Sequence, residues 1–294
     1  MGDKTLSYSA FLKRVKDTIK HYQMFAKGDK VLVAVSGGAD SVSLLKALLG
    51  IQKTLGITVV AANLDHQLRG RESRADSKFV KNIAGDLGVP CVMGRVNVKK
   101  TGVKGTSIEE KAREKRYEFL FKTAKNNKCN VIATGHTMDD QAETVMMKVI
   151  HGSSTQGIAG IPPVREEKEI RIVRPLIRVS RNEIIGFLKK SDVTYVEDSS
   201  NFDMRFLRNR IRHEILPYLK KINPKIERTL VNLSDTVRED LDLINLIKNN
   251  GNVNKGMTEI DIKDILLQPG TIRKSIFKEL FRNAGGNIKK LTYR

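Results

Sequence analysis

An α/β fold with a doubly wound parallel sheet is predicted by three features of this 294-residue chain. Short, wholly apolar runs rich in β-branched residues alternate with longer amphipathic stretches, as expected of strands covered on both faces by crossover helices. The polar residues that do not belong in a core collect at the ends of those runs, where open parallel sheets hold their ligands. The first run, Val31–Val35, enters Ser36-Gly37-Gly38-Ala39-Asp40-Ser41 and then the helical spacing of Val42, Leu44, Leu45, Leu48 and Leu49. That is strand, tight turn, helix.

The turn is suited to phosphate. Gly37 and Gly38 carry no Cβ, so the amides there can close around an anion. A helix beginning near Asp40 or Ser41 points unpaired N–H groups and its positive dipole end at the same place. The turn lacks both the Gly-Lys-Ser/Thr ending of a Walker loop and the Gly-x-Gly-x-x-Gly of dinucleotide folds. A plain turn capped by Ser41 is the competing reading. Six such residues after a buried strand favour a nucleotide.

The remaining elements follow in order. Phe11, Val15 and Ile19 share one helical stripe within residues 7–25. Ile57–Asn63 is a second strand, ending in Asp65-His66. Ser73–Leu87 is an amphipathic helix stopped by Gly88 and Pro90. A third strand spans Cys91–Val98, and Lys99–Ser107 is a basic loop. Ser107-x-x-Glu110 has the spacing of a capping box opening a helix through Leu120. Val131–Thr134 is the fourth strand, ending in Gly135-His136, with a helix over Asp139–Ile150. His151–Val164 has three glycines, two prolines and no period, so a lid-like loop is expected. Ile170–Ile177, interrupted by Pro175, is the fifth strand, and Ser180-x-x-Glu183 caps a further helix. From Leu216 the spacing is helical only. The expected architecture is a five-stranded sheet domain over residues 1–217 and a smaller all-helical domain over 218–294. The chain ends at Tyr293-Arg294 without a helix cap, as an interrupted segment would.

Charge narrows the partners. The 53 Lys and Arg outnumber 33 Asp and Glu, for a net +20. Such an excess suits a polyanion, whose counterions are released on binding. No apolar run approaches the roughly 18 residues of a spanning helix, so no membrane partner is expected. The two cysteines, Cys91 and Cys129, lie far apart and form no metal-binding pair. They read as small apolar residues in a reducing cytoplasm.

A second concentration of chemistry is Gly135-His136-Thr137-Met138-Asp139-Asp140-Gln141-Ala142-Glu143-Thr144. On a helix, His136, Asp140 and Glu143 share a face, as do Asp139 and Glu143. Acidic residues also stabilise a first helical turn without any catalytic role. A phosphate loop two strand ends away favours the catalytic reading.

Ser36–Ser41 resembles the pyrophosphate loop of the ATP-pyrophosphatase superfamily. The resemblance sharpens with His66–Ser73, Glu109–Tyr117, Gly135–Thr144, Arg174-Pro175-Leu176, Asp198-Ser199-Ser200-Asn201 and Arg208–Glu214. Together these are similar to the bacterial tRNA(Ile)-lysidine synthetase family over residues 31–217. The resemblance implies a ligase that adenylates the first anticodon cytidine of tRNA(Ile), anticodon CAU, and joins free L-lysine to its C2. It implies ATP and Mg2+, with Ser36, Gly37, Gly38, Ala39, Asp40 and Ser41 on the phosphates and Asp40 toward the metal. Asn63 and His66, by position alone, would line the adenosine pocket. Asp139, Asp140 and Glu143 would, with Asp40, be catalytic. Arg113, Arg116, His136, Asp139 and Glu143 would receive lysine, the arginines holding its α-carboxylate if they are not surface pairs of the helix. Arg205, Arg208, Arg210 and Arg212 would hold tRNA phosphates if they are not a solvated basic face. No protein partner is implied, and a homodimer is left open. The alternatives are a tRNA 2-thiolase of the same superfamily, which needs active-site cysteines, and a non-catalytic RNA-binding module with a vestigial nucleotide site.

Overall fold

The computed structural model describes residues 7–67, 71–98, 108–196, 204–250, 263 and 270–285. The basic stretch Lys99–Ser107 with its Ser107 cap, Leu68–Gly70, Asp198–Asn201 and Tyr293-Arg294 lie outside the described residues.

Six strands form one sheet. They are β1 (Lys30–Ala34), β2 (Thr58–Asp65), β3 (Cys91–Arg95), β4 (Val131–Ala133), β5 (Val164–Glu167) and β6 (Ile170–Val173), in the order β3-β2-β1-β4-β6-β5. All neighbours are parallel except β5, which runs antiparallel to β6. The expected count was five. The sixth, β5, is Val-Arg-Glu-Glu, too short and polar to show a strand period. It can be so because it is an edge strand paired on one side. The β5–β6 turn is Lys168-Glu169, both in the left-handed region (φ 53° and 62°). An Asn-Gly pair would have announced this hairpin; Lys-Glu does not. The other boundaries shorten: β3 ends at Arg95 rather than Val98, and β6 ends at Val173, before Pro175.

Alternation along the strands divides the core. Val31 and Val33 of β1 and Val131 of β4 join one cluster, with Phe11, Val15, Leu44, Leu45, Leu48, Ile184 and Phe187. Those partners come from α1 (Tyr8–His21), α2 (Ala39–Leu55) and α7 (Arg181–Lys190). Leu32 and Ile132 face the opposite cluster, with Leu120, Phe121 and Ala124 of α4 (Ile108–Asn126). Both faces are therefore covered, which is why the strands are apolar throughout rather than alternating. α3 (Arg71–Asp86) adds Val80, Ile83 and Ala84 to the first cluster.

The aperiodic stretch after α5 (Met138–Ile150) contains a short helix, α6 (Thr155–Ile158). Its end is held down: the buried Gln141 side chain accepts from the Ile161 amide at 2.7 Å. A Cβ on Gly160 (φ +65°) would lie 2.7 Å from that side chain.

The arginine-rich run is helical. α8 (Leu207–Arg210), one turn of π-helix (Ile211–Ile215) and α9 (Leu216–Ile222) follow without a break. α10 (Ile226–Asn250) and α11 (Gly270–Asn283) complete the described elements. The chain divides into two compact units, Met1–Gly152 with Gly160–Val231, and Ser153–Ala159 with Asn232–Arg294. The first contains the whole sheet. In the second, Arg238 pairs with Asp235 and donates to the Ala159 carbonyl, both at 2.6 Å, and Ile276 is buried. Among the described residues no helix is long and apolar enough to cross a membrane.

Candidate active site at the carboxyl ends of the strands

Strand order reverses between β1 and β4, so the chain leaves the sheet on opposite sides there and opens a crevice. Ser36–Ser41 follows β1 and Gly135–Thr144 follows β4. The two meet directly: a Cβ on Gly135 would lie 3.2 Å from the Asp40 carbonyl carbon and the Ser41 amide nitrogen. Glycine at 135 is what lets the second segment touch the first.

The loop is stitched internally and open externally. Ser41 accepts from the Ser36 amide at 3.1 Å and donates to the Gly38 carbonyl at 2.9 Å. Gly37 needs its φ of +95°, and its carbonyl accepts from Val196 at 3.0 Å. The helix starts earlier than expected, with Gly38 as N-cap, so Ser41 is a stitch within the turn and not the cap. Val42 donates the first helical bond, to Gly38. The amides of residues 37–41 have no backbone acceptor among the described residues, the arrangement a helix N-terminus offers an oxyanion.

At the end of β2, Asn63 is buried and donates to the Val35 carbonyl at 2.8 Å, tying β2 to β1. Among the described residues its Oδ1 and the His66 Nδ1 are buried without partners. Burial, then the nearby Arg116 charge, pulls the His66 pKa down to about 4. His66 is therefore a neutral ring at pH 7.

The α5 carboxylates are not equivalent. Asp140 closes a capping box with Thr137: its Oδ2 accepts from the Thr137 amide and hydroxyl at 2.9 and 3.0 Å. Its Oδ1 accepts from Arg208 at 2.8 Å. Burial pushes the Asp140 pKa up, but Arg208, the Thr137 amide and Arg212 outweigh it and hold the carboxyl below its ordinary value. Glu143, 1% exposed, takes Arg208 Nε at 2.7 Å and Arg212 through two nitrogens, at 2.6 and 3.1 Å. Asp139 stands apart. It accepts from the Arg181 backbone amide at 2.8 Å, while burial, then Glu227, raises its pKa to about 7. His136 is held neutral, chiefly by burial, with Nδ1 2.9 Å from the Thr134 hydroxyl.

The basic run thus divides by its contacts. Arg208 and Arg212, expected on tRNA phosphates, lie on Asp140 and Glu143 instead. Arg210 pairs with Glu214 of its own helix at 3.3 Å, and Arg205 is exposed. On α4, Arg113 stacks on Tyr117 with its charge felt at His136, whereas the Arg116 charge is felt at His66.

Sequence reasoning missed Arg181. Its guanidinium pairs with Asp40 and its backbone amide with Asp139, so one residue joins the two segments. Burial raises the Asp40 pKa even against that pair. The available signal was the Ser180-x-x-Glu183 cap, observed with both reciprocal bonds, which puts Arg181 first in a helix whose start lies at this edge of the sheet.

A switch-point crevice with a bare amide cradle after β1 defines the class, a PP-loop nucleotide-binding domain. Residues 8–219 match the family model of that PP-loop domain. The chain is 33% identical over 289 residues to a tRNA(Ile)-lysidine synthase of Clostridioides difficile, a match covering 96% of this chain and 62% of that protein. It is 35% identical over 228 residues to a tRNA(Ile)-lysidine synthase of Petrotoga mobilis, covering 77% and 72%. This chain belongs to the tRNA(Ile)-lysidine synthase family. It spans under two thirds of the length of the first of these relatives. Among solved structures, the U34-tRNA thiolase NcsA from Methanococcus maripaludis, with its [4Fe-4S] cluster, superposes with a TM-score of 0.65 at 18% identity, over 79% of this chain and 80% of that one. That likeness is one of fold.

Proposed function

We propose that this chain carries the catalytic part of a lysidine-forming ligase, acting in the cytoplasm on the wobble cytidine of tRNA(Ile) with anticodon CAU. The observation that carries the reading is the contact of two unlike segments at Gly135: an anion cradle on one side, carboxylates on the other.

The C2 carbonyl of cytosine is a weak electrophile and must be activated. Its oxygen attacks the α-phosphorus of ATP and pyrophosphate leaves, received by the amides of residues 37–41 and by Ser36, where fixed donors stabilise developing charge. The unpartnered Asn63 Oδ1 and His66 Nδ1 suit an adenosine edge. Asp40 offers carboxylate oxygens beside the cradle, which suits Mg2+, an ion that takes few protein ligands and completes its shell with phosphates and water. Bound there, Mg2+ would neutralise phosphate charge.

Lysine then supplies its ε-amine, whose ordinary pKa of about 10.4 requires that a proton be removed. Asp139, with its pKa raised to about 7, is matched to that task at neutral pH. Asp140 and Glu143, held by Arg208 and Arg212, orient the ammonium beside neutral His136. Arg113 and Arg116 hold the α-carboxylate by their forked donors. The amine attacks C2 and AMP leaves. Arg205 and Arg210, with residues 218–294, are assigned to tRNA contacts.

Thiolation is less well supported. The Cys129 thiol lies against the Asn127 carbonyl, ahead of β4 and so at the opposite edge of the sheet from the crevice. The test is incorporation of radiolabelled lysine into tRNA with ATP, followed by mass analysis of the nucleosides. Lysine-dependent label in cytidine upholds ligation. Sulfur transfer, or ATP binding with no tRNA product, would replace it.

A further inference from the structure

Tyr117, half-buried on α4, gathers three guanidinium groups. Arg113 and Arg165 lie 5.2 and 5.0 Å from its ring centroid, and the Arg174 guanidinium is near enough for the Tyr117 phenol to act on its charge. Arg174 is 1% exposed. It follows β6 and donates to the Pro162 carbonyl, yet among the described residues its Nε is buried without a partner, as is the Nε of Arg165. Burial, and then the like charges of Arg165 and Arg113, push its pKa below the ordinary arginine value.

Such a group is costly to bury unless an anion shares its site. Among the described residues Glu167 is the one carboxylate in ion-pair reach of the three, 2.9 Å from Arg165. Both partners of that pair are over a third exposed, so it is weak and easily displaced. With Arg113 assigned to the lysine carboxylate, Arg165 and Arg174 still face one loosely held anion, which leaves a place for another. Forked guanidinium donors bind phosphate oxygens in pairs, and Arg174 follows β6, the parallel neighbour of β4, so the cluster lies at the carboxyl ends of the strands.

We infer that Arg165 and Arg174, gathered on Tyr117, form an oxyanion site that holds a backbone phosphate of the RNA strand next to the target nucleotide. The inference rests on the RNA-modifying reading above. A nucleotide splayed out of a loop carries a phosphodiester on each side, and the cradle at residues 37–41 is already committed to the phosphates of ATP.

The experiment compares the full chain with Arg165→Gln and Arg165→Lys, binding an anticodon stem-loop RNA over a range of KCl concentrations. Arg165→Gln is expected to weaken binding about tenfold at low salt and to flatten the log–log salt slope by about one. Arg165→Lys should recover the slope and only part of the affinity. The KM values for ATP and lysine should not move. Unchanged RNA affinity and slope in Arg165→Gln would overturn the inference and leave the cluster a structural clamp on Pro162. A raised KM for lysine with normal RNA binding would also overturn it, assigning the anion to the amino acid. If Arg165→Gln weakens RNA binding while the wild-type chain incorporates no lysine, the ligase reading falls and the phosphate site stands.

Discussion

The turn after β1 and the turn after β4 sit at adjacent strand ends, yet they satisfy their polar groups in opposite ways. At residues 37–41 the amides are presented outward with no backbone acceptor among the described residues, and the serines bond among themselves. At residues 139–143 the carboxylates are already occupied, by Arg181, Arg208 and Arg212. The first region is ready for an anion. The second must exchange an arginine for its ligand, or accept a ligand that fits around the pair. The amides of one turn thus point outward while the carboxylates of the other are paired, so substitutions in the two turns should fail differently.

The largest effect is expected at the open turn. Asp40→Ala should lower ATP consumption by about 10²-fold or more, read as pyrophosphate release, with folding intact because the carboxylate is half-exposed. Normal turnover would remove the turn from the chemistry. Next, Arg208→Ala should lower kcat about tenfold with less effect on RNA affinity, since the side chain lies on Glu143 and Asp140. A loss confined to RNA affinity would return Arg208 to a free basic face and dissolve the contrast.

The closed turn should fail in stability. Glu143→Gln leaves two arginines short of a buried counter-charge and is expected to cost about 1–3 kcal/mol in urea unfolding. An unchanged midpoint would mean that the pairs are incidental.

A smaller effect is expected with pH. The Asp139 pKa rises from 3.8 to about 7 on folding, so the fold favours its protonated form. That contribution is complete below about pH 4 and is lost as pH rises toward 7. Asp139→Asn should therefore flatten the fall in urea midpoint across this interval, and an unaltered slope would contradict the shift. The smallest effect belongs to Cys91→Ser, which should leave lysine incorporation within about twofold; a total loss with the fold intact would place this thiol in the reaction.

What the sequence disclosed follows the same contrast. The cradle was legible because local rules write it: a buried strand, two glycines, a helix start. The carboxylates were legible as a group, but their separate roles were not. Which of them is free depends on Arg181, Arg208 and Arg212, brought in from 42 to 69 residues away. No local spacing encodes such partners. Capping a first turn and gathering a distant arginine fall to the same residue, since Asp140 both caps α5 and receives Arg208. The strand β5 was hidden for a different reason: an edge pairing through Lys168-Glu169 needs neither an apolar period nor glycine.

The single wide turn at Ile211–Ile215 carries its own consequence. Such a turn takes up one residue more than an α turn over nearly the same rotation, so removing one residue would tighten the coil to ordinary pitch and leave α9 at nearly the same phase relative to α8. The loss would fall on the turn's own side chains. Arg212, which reaches Glu143 from within it, would change its place on the helix while the flanking segments kept theirs.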